Sequence, residues 1–181
     1  MDKSELARIV FYQLETFYFL QEFDHLRKIK DEAAISILTR IYQQRQVDPL
    51  SLQFANLISG LSILNFPLAI ARNLNDEQLS KYDFPTDYDR YALIYRRNGM
   101  RQVPSGPSEV LRVVRNAVAH LPDFFNEDAS PNITFDDGLI VFHSRKCDVI
   151  IETAEGYINF ISDLTSAIKK IALDLMHDEL D

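Results

Sequence analysis

Three polar side chains fall within six residues of one another: Arg115, Asn116 and His120, in the stretch Arg115-Asn116-Ala117-Val118-Ala119-His120. A guanidinium offers an anion a fixed fork of donors, an amide orients its neighbours by hydrogen bonding, and an imidazole exchanges a proton near neutral pH. These residue types suit chemistry on an oxyanion such as a phosphate. A plainer account is open beside it. Arg115 could be an ordinary solvent-facing residue, Asn116 could be structural, and His120 could be a cation near a helix C-terminus, a placement stabilising by about 0.3–1 kcal/mol.

The positioning element is predicted to be a helix that begins at Pro107, with Ser105 or Gly106 as its cap, and stops before Pro122. At about 100° per residue, Val110, Val113, Val114, Ala117, Val118 and Leu121 share one apolar side. Asn116 and His120, four apart, lie together on one flank, while Arg112, Arg115 and Ala119 point away from the apolar side. On an ideal helix Arg115 diverges from Asn116 and His120, so their convergence demands a bent helix end or a second protomer.

Charge is unevenly spread along the chain. The 181 residues carry a net −8, which argues against a protein that neutralises phosphates over its whole surface. Between Arg90 and Arg115, however, six arginines face a single acid, Glu109, so this segment is +5 and the remainder −13. Arg96, Arg97, Arg101 and Arg112 are the candidate RNA-binding residues within it, although a charge run of this kind is as often a solvated face. Tyr82, Tyr88, Tyr91 and Tyr95 alternate with these arginines and could stack bases, but core packing is the favoured reading for tyrosines at this spacing.

Around the motif helix the periodicity predicts a first helix over 4–30, a second over 31–44, and a third over 52–72 that Pro67 should end or kink. Residues 73–106 read as breaks around one or two short helices. Ile133–Asp136 and Leu139–Phe142, separated by Asp137-Gly138, predict a tight hairpin, with Val149–Ile151 as a third strand. Thr153 then caps a last helix over 154–177 whose apolar stripe runs through Ile158, Ile161, Leu164, Ile168, Ile171 and Leu175. The expected fold is therefore mainly α: one domain, a helical bundle with a small antiparallel appendage at about 131–152.

Leu111-Arg112-Val113-Val114-Arg115-Asn116-Ala117-Val118-Ala119-His120 resembles the signature of HEPN domains, an arginine followed after four residues by a histidine. Phe54–Leu61 and the hairpin with the last helix are similar to plasmid-type HEPN-like nucleases. The resemblance implies a helical-bundle ribonuclease that cleaves RNA without a metal or other cofactor, at a composite site between the two copies of a homodimer. His120 would be the general base toward the ribose 2′-hydroxyl, Arg115 would hold the phosphate, and Asn116 would orient His120 or a phosphate oxygen through its amide. A toxin-like or defence-related role, with a possible antitoxin partner, is implied as well. The alternatives are a non-catalytic HEPN module that binds RNA or a partner protein, and a helical dimerisation scaffold.

Other chemistries find little support. Cys147 is the sole cysteine, so neither an internal disulfide nor a thiolate metal cage is expected, and a reducing compartment fits best. His25, His143 and His177 read as surface or edge residues, and Asp123, Glu127 and Asp128 as a solvated acidic loop. Without paired ligand spacing no metal site is expected. The start has no secretory pattern and no window suits a membrane span, so a cytoplasmic protein without membrane contact is expected.

Overall fold

The computed structural model describes residues 3–43, 61, 63–119, 133–136 and 139–177. The spacing of apolar residues at the start is realised as α1 (Lys3–Lys28), which buries Ala7, Val10, Leu14 and Phe17 at intervals of three and four. Lys30, with φ 58°, reverses the chain into α2 (Glu32–Tyr42), whose cap is Asp31 accepting from the Ala34 N–H at 2.9 Å. The expected third helix falls largely on residues 44–60 and 62, outside the described residues. Its end is α3 (Asn65–Ala71), and Pro67 sits in its first turn, where a missing amide donor leaves no helical hydrogen bond unmade. A short α4 (Asp76–Ser80) follows, closed by a reciprocal capping box between Asn75 and Gln78.

The predicted mainly helical bundle with a three-strand appendage is corrected by the sheet. Five antiparallel strands are present: β1 (Leu93–Arg97), β2 (Met100–Gln102), β3 (Ile133–Asp136), β4 (Leu139–Ser144) and β5 (Cys147–Ile151), in the order β2-β1-β5-β4-β3. The chain is thus mixed α and β, with a substantial sheet. The two additional strands arise where short helices were expected. Asn98 (φ 52°) and Gly99 (φ 78°) form the tight turn between them, a backbone that twists with the strands it joins. β1 then pairs along its full length with β5, Leu93 opposite Ile151 and Arg97 opposite Cys147, so the hairpin extends the later strands into one sheet.

Helices α5 (Pro107–Ala119) and α6 (Ala154–His177) complete the fold. On the face of the sheet toward α5, alternate residues Leu93, Tyr95, Ile140, Phe142, Val149 and Ile151 form one core cluster with Val110, Leu111, Val113, Val114, Ala117 and Val118 of α5. Each fully buried aliphatic or aromatic side chain contributes about 1.5–3 kcal/mol on removal from water. Thr153 caps α6 by accepting from the Gly156 N–H at 3.0 Å, and the helix packs along α1, where the Tyr18 hydroxyl donates to Thr165 Oγ1 at 2.8 Å. Ile161, Leu164, Ile168 and Ile171 are buried as expected, whereas Ile158 is 65% exposed and does not belong to the stripe.

Candidate functional site

Helix α5 is held at its start by a neighbour. The Asp76 carboxylate of α4 accepts from the Ser108 N–H at 2.8 Å, and Glu109 reaches back to accept from the Ser105 N–H at 2.8 Å. The expected cap on Ser105 or Gly106 is therefore replaced by a carboxylate from another helix, well placed at the positive end of the helix dipole. Gly106 makes this possible, because a Cβ there would lie 2.3 Å from the Asp76 carboxylate.

Along α5 the predicted division holds: Val110, Val113, Val114, Ala117 and Val118 are buried, Arg112 is exposed, and Arg115 and Asn116 are half-buried. His120 and Leu121 lie outside the described residues. Arg115 does not diverge from Asn116 as an ideal wheel suggests. Its side chain folds across so that Nη1 donates to Asn116 Oδ1 at 3.2 Å, and its buried Nε has no acceptor among the described residues. Asn116 in turn donates through Nδ2 to Ser144 Oγ at 3.4 Å, a long bond that links α5 to the end of β4.

That link borders a groove of about 350 Å³ lined by Arg97, Arg112, Val113, Asn116, Ser144, Arg145, Lys146 and Cys147. Its composition follows from the register of the sheet. Arg97, Cys147 and Ser144 are cross-strand neighbours on β1, β5 and β4, so they form one row on the α5 side. Arg145 and Lys146 are the two turn residues that follow Ser144. Asn98 N–H donates to the Lys146 carbonyl at 2.7 Å, which fastens the β1–β2 turn to the β4–β5 turn. Four cations thus line the groove, and Glu109 lies 3.8 Å from Arg97.

Of the four arginines expected to meet RNA, the structure brings Arg97 and Arg112 to Asn116 and separates Arg96 and Arg101. The latter two are opposite each other across the β1–β2 pair, on the other face. There Arg96 neighbours Asp148 across β5, His143 Nδ1 lies 3.1 Å from Asp148 Oδ1, and Thr134 Oγ1 lies 3.3 Å from His143 Nε2. A hydroxyl, an imidazole and a carboxylate in this order can activate a nucleophile, but His143 is 41% exposed and its partner Asp148 is a cross-strand neighbour of Arg96. Arg90, the remaining member of the basic run before α5, pairs with Asp163 at 3.0 Å.

The tyrosines belong to the core. Tyr91 and Tyr95 are buried, and Tyr82 and Tyr88 pack against the cluster. Burial, reinforced by the hydroxyl's hydrogen bond to Cys147 Sγ and by the Glu109 charge, pushes the Tyr95 phenol up to about 12. Burial with the charges of Asp76 and Glu109 pushes Tyr88 up to about 12 as well. These phenols remain neutral donors near pH 7 and supply no base. Arg145, Lys146 and Ser144 are the groove residues that sequence reasoning missed; the predicted hairpin topology was the one signal that could have brought them toward α5.

Among the described residues no helix is long and apolar enough to cross a membrane. No family model matches the chain, and neither does any curated protein or solved structure.

Proposed function

We propose that the chain is a ribonuclease that cleaves RNA by attack of the ribose 2′-hydroxyl, with Arg115, Asn116 and His120 as its catalytic residues. The observation that carries this reading is the meeting of Arg97 and Arg112 with Asn116 in one cationic groove beside the motif. In the proposed step His120 removes the 2′-hydroxyl proton and the freed oxygen attacks the adjacent phosphorus. The bond from phosphorus to the 5′ oxygen breaks, leaving a cyclic phosphate on one product, and the departing oxygen takes a proton to become a 5′-hydroxyl. Arg115 stabilises the charge that builds on the phosphoryl oxygens. Two copies of the motif facing each other would complete the site, and an antitoxin-type partner would restrain it.

Incubating wild type, Arg115→Ala and His120→Ala with mixed RNA in the presence of a chelator tests this reading. Cyclic phosphate ends are expected from the wild type, with cleavage reduced by about 10²- to 10⁴-fold in the histidine variant. Absence of cleavage, or equal cleavage by the variants, overturns it. A second reading, an RNA-binding module without catalysis, is favoured by one feature: both ends of the Asn116 amide are already engaged, by Arg115 and by Ser144. It predicts saturable, salt-sensitive binding with intact RNA recovered.

A further inference from the structure

We propose that Arg145 and Lys146, on the β4–β5 turn, form with Arg97 and Arg112 a docking site for a backbone phosphate of single-stranded RNA, next to the phosphate that is cleaved. Its place beside the cleaved phosphate rests on the ribonuclease reading; the docking site itself rests on the groove.

Three observations build it. First, the cations lack counter-charges: among the described residues Arg112, Arg145 and Lys146 form no ion pair, and Arg97 has only Glu109 at 3.8 Å. Like charges held together repel, and a bound anion relieves that repulsion. Second, the groove holds neutral hydrogen-bonding groups, the Ser144 hydroxyl and the Asn116 amide, over the apolar side chains of Val113 and Cys147. That mixture suits a phosphate flanked by a sugar. Third, Asn116 belongs to both places. It lines the groove and accepts from Arg115, so a strand seated on the turn presents its next phosphate to the motif.

Size and charge select a single strand over other polyanions. A groove of about 350 Å³ is in the range of small-molecule sites and admits one nucleotide unit, whereas a duplex carries its phosphates on a stiff rod. The chain as a whole is −8, so a duplex or an anionic surface laid against it would meet repulsion beyond the groove. A strand that enters the groove comes within about 8 Å of the four cations, the distance over which physiological salt leaves charges effective.

The test is equilibrium binding of a labelled single-stranded oligouridylate to the full chain and to Arg145→Ala/Lys146→Ala, each also carrying His120→Ala so that substrate survives, at several salt concentrations. Both turn residues are exposed, so the double variant should keep its fold, checked by thermal unfolding. Affinity is expected to fall about tenfold, and the slope of log K against log salt to shrink by about 1.4, roughly 0.7 for each lost cation on a single strand. Unchanged affinity and slope overturn the docking site, as does equal loss of binding to a duplex of the same length or to an acidic peptide. In cleavage assays Arg145→Ala/Lys146→Ala with His120 intact should raise KM and leave kcat near that of the wild type. If His120→Ala cuts as well as wild type, the ribonuclease reading fails while the binding result stands; if cleavage needs His120 but ignores the turn, the docking site fails alone.

Discussion

The two faces of the sheet are built from the same strands and treat charge in opposite ways. On one face Arg96, Asp148, His143 and Thr134 follow one another across four strands, and the Asp148 carboxylate stands in the row between the Arg96 position and the His143 imidazole. On the other face Arg97, Cys147 and Ser144 occupy the equivalent row one residue along, and no acid stands among them. Arg96 and Arg97 are chemically identical neighbours whose environments differ because successive strand residues point to opposite faces. Basic residues in sequence are therefore a poor guide to an anion site. What makes one is how few acids reach the face where the cations land; here Glu109, 3.8 Å from Arg97, is the acid paired with them.

Substitutions on and beneath the two faces should separate them. The strand core supports both faces, so Phe142→Ala, at a fully buried position, should cost about 3–5 kcal/mol in urea unfolding; a loss under about 1 kcal/mol would mean the sheet is not the common support. Arg97→Ala should weaken oligouridylate binding about tenfold, equivalent to about 1.4 kcal/mol, while Arg96→Ala should change it by less than about twofold. Equal effects of the two would erase the distinction between the faces. Gly99→Ala meets no atom within 4 Å, so its cost is that of a left-handed backbone alone, about 1 kcal/mol, with a matching fall in binding as Arg97 loosens. The smallest effect is expected from His143→Ala: under about 0.5 kcal/mol in stability for a half-exposed pair, and no change in RNA affinity.

How much of this was legible in the sequence depends on where each contact comes from. Helices α5 and α6 and the strands β3 to β5 announce themselves through local periodicity and turn chemistry, and the structure agrees with those expectations. β1 and β2 did not, although Asn98-Gly99 is a strong hairpin signal; β2 is three residues long, exposed throughout, and shows no apolar alternation to read. The motif residues on α5 were legible because they sit on one helix. The groove was not, because Arg145 and Lys146 lie some thirty residues beyond Arg112 and reach it through strand pairing and the β1–β5 register. Non-local assembly of that kind leaves no trace in spacing. Similarly, the Asp76 cap on α5 crosses from one helix to another, where a local rule proposed Ser105 or Gly106.

The hydrogen bond from Asn98 to Lys146 bears on how a ligand would be received. Cations on two free loops would have to be gathered by the anion, and the complex would lose the freedom of both loops as it formed. Here the two turns are latched by a backbone contact, so their mutual position is settled when the strands pair. The groove is preorganised: the disorder that an anion site must surrender is given up during folding, and the binding step inherits a rigid frame that discriminates by the shape of what enters.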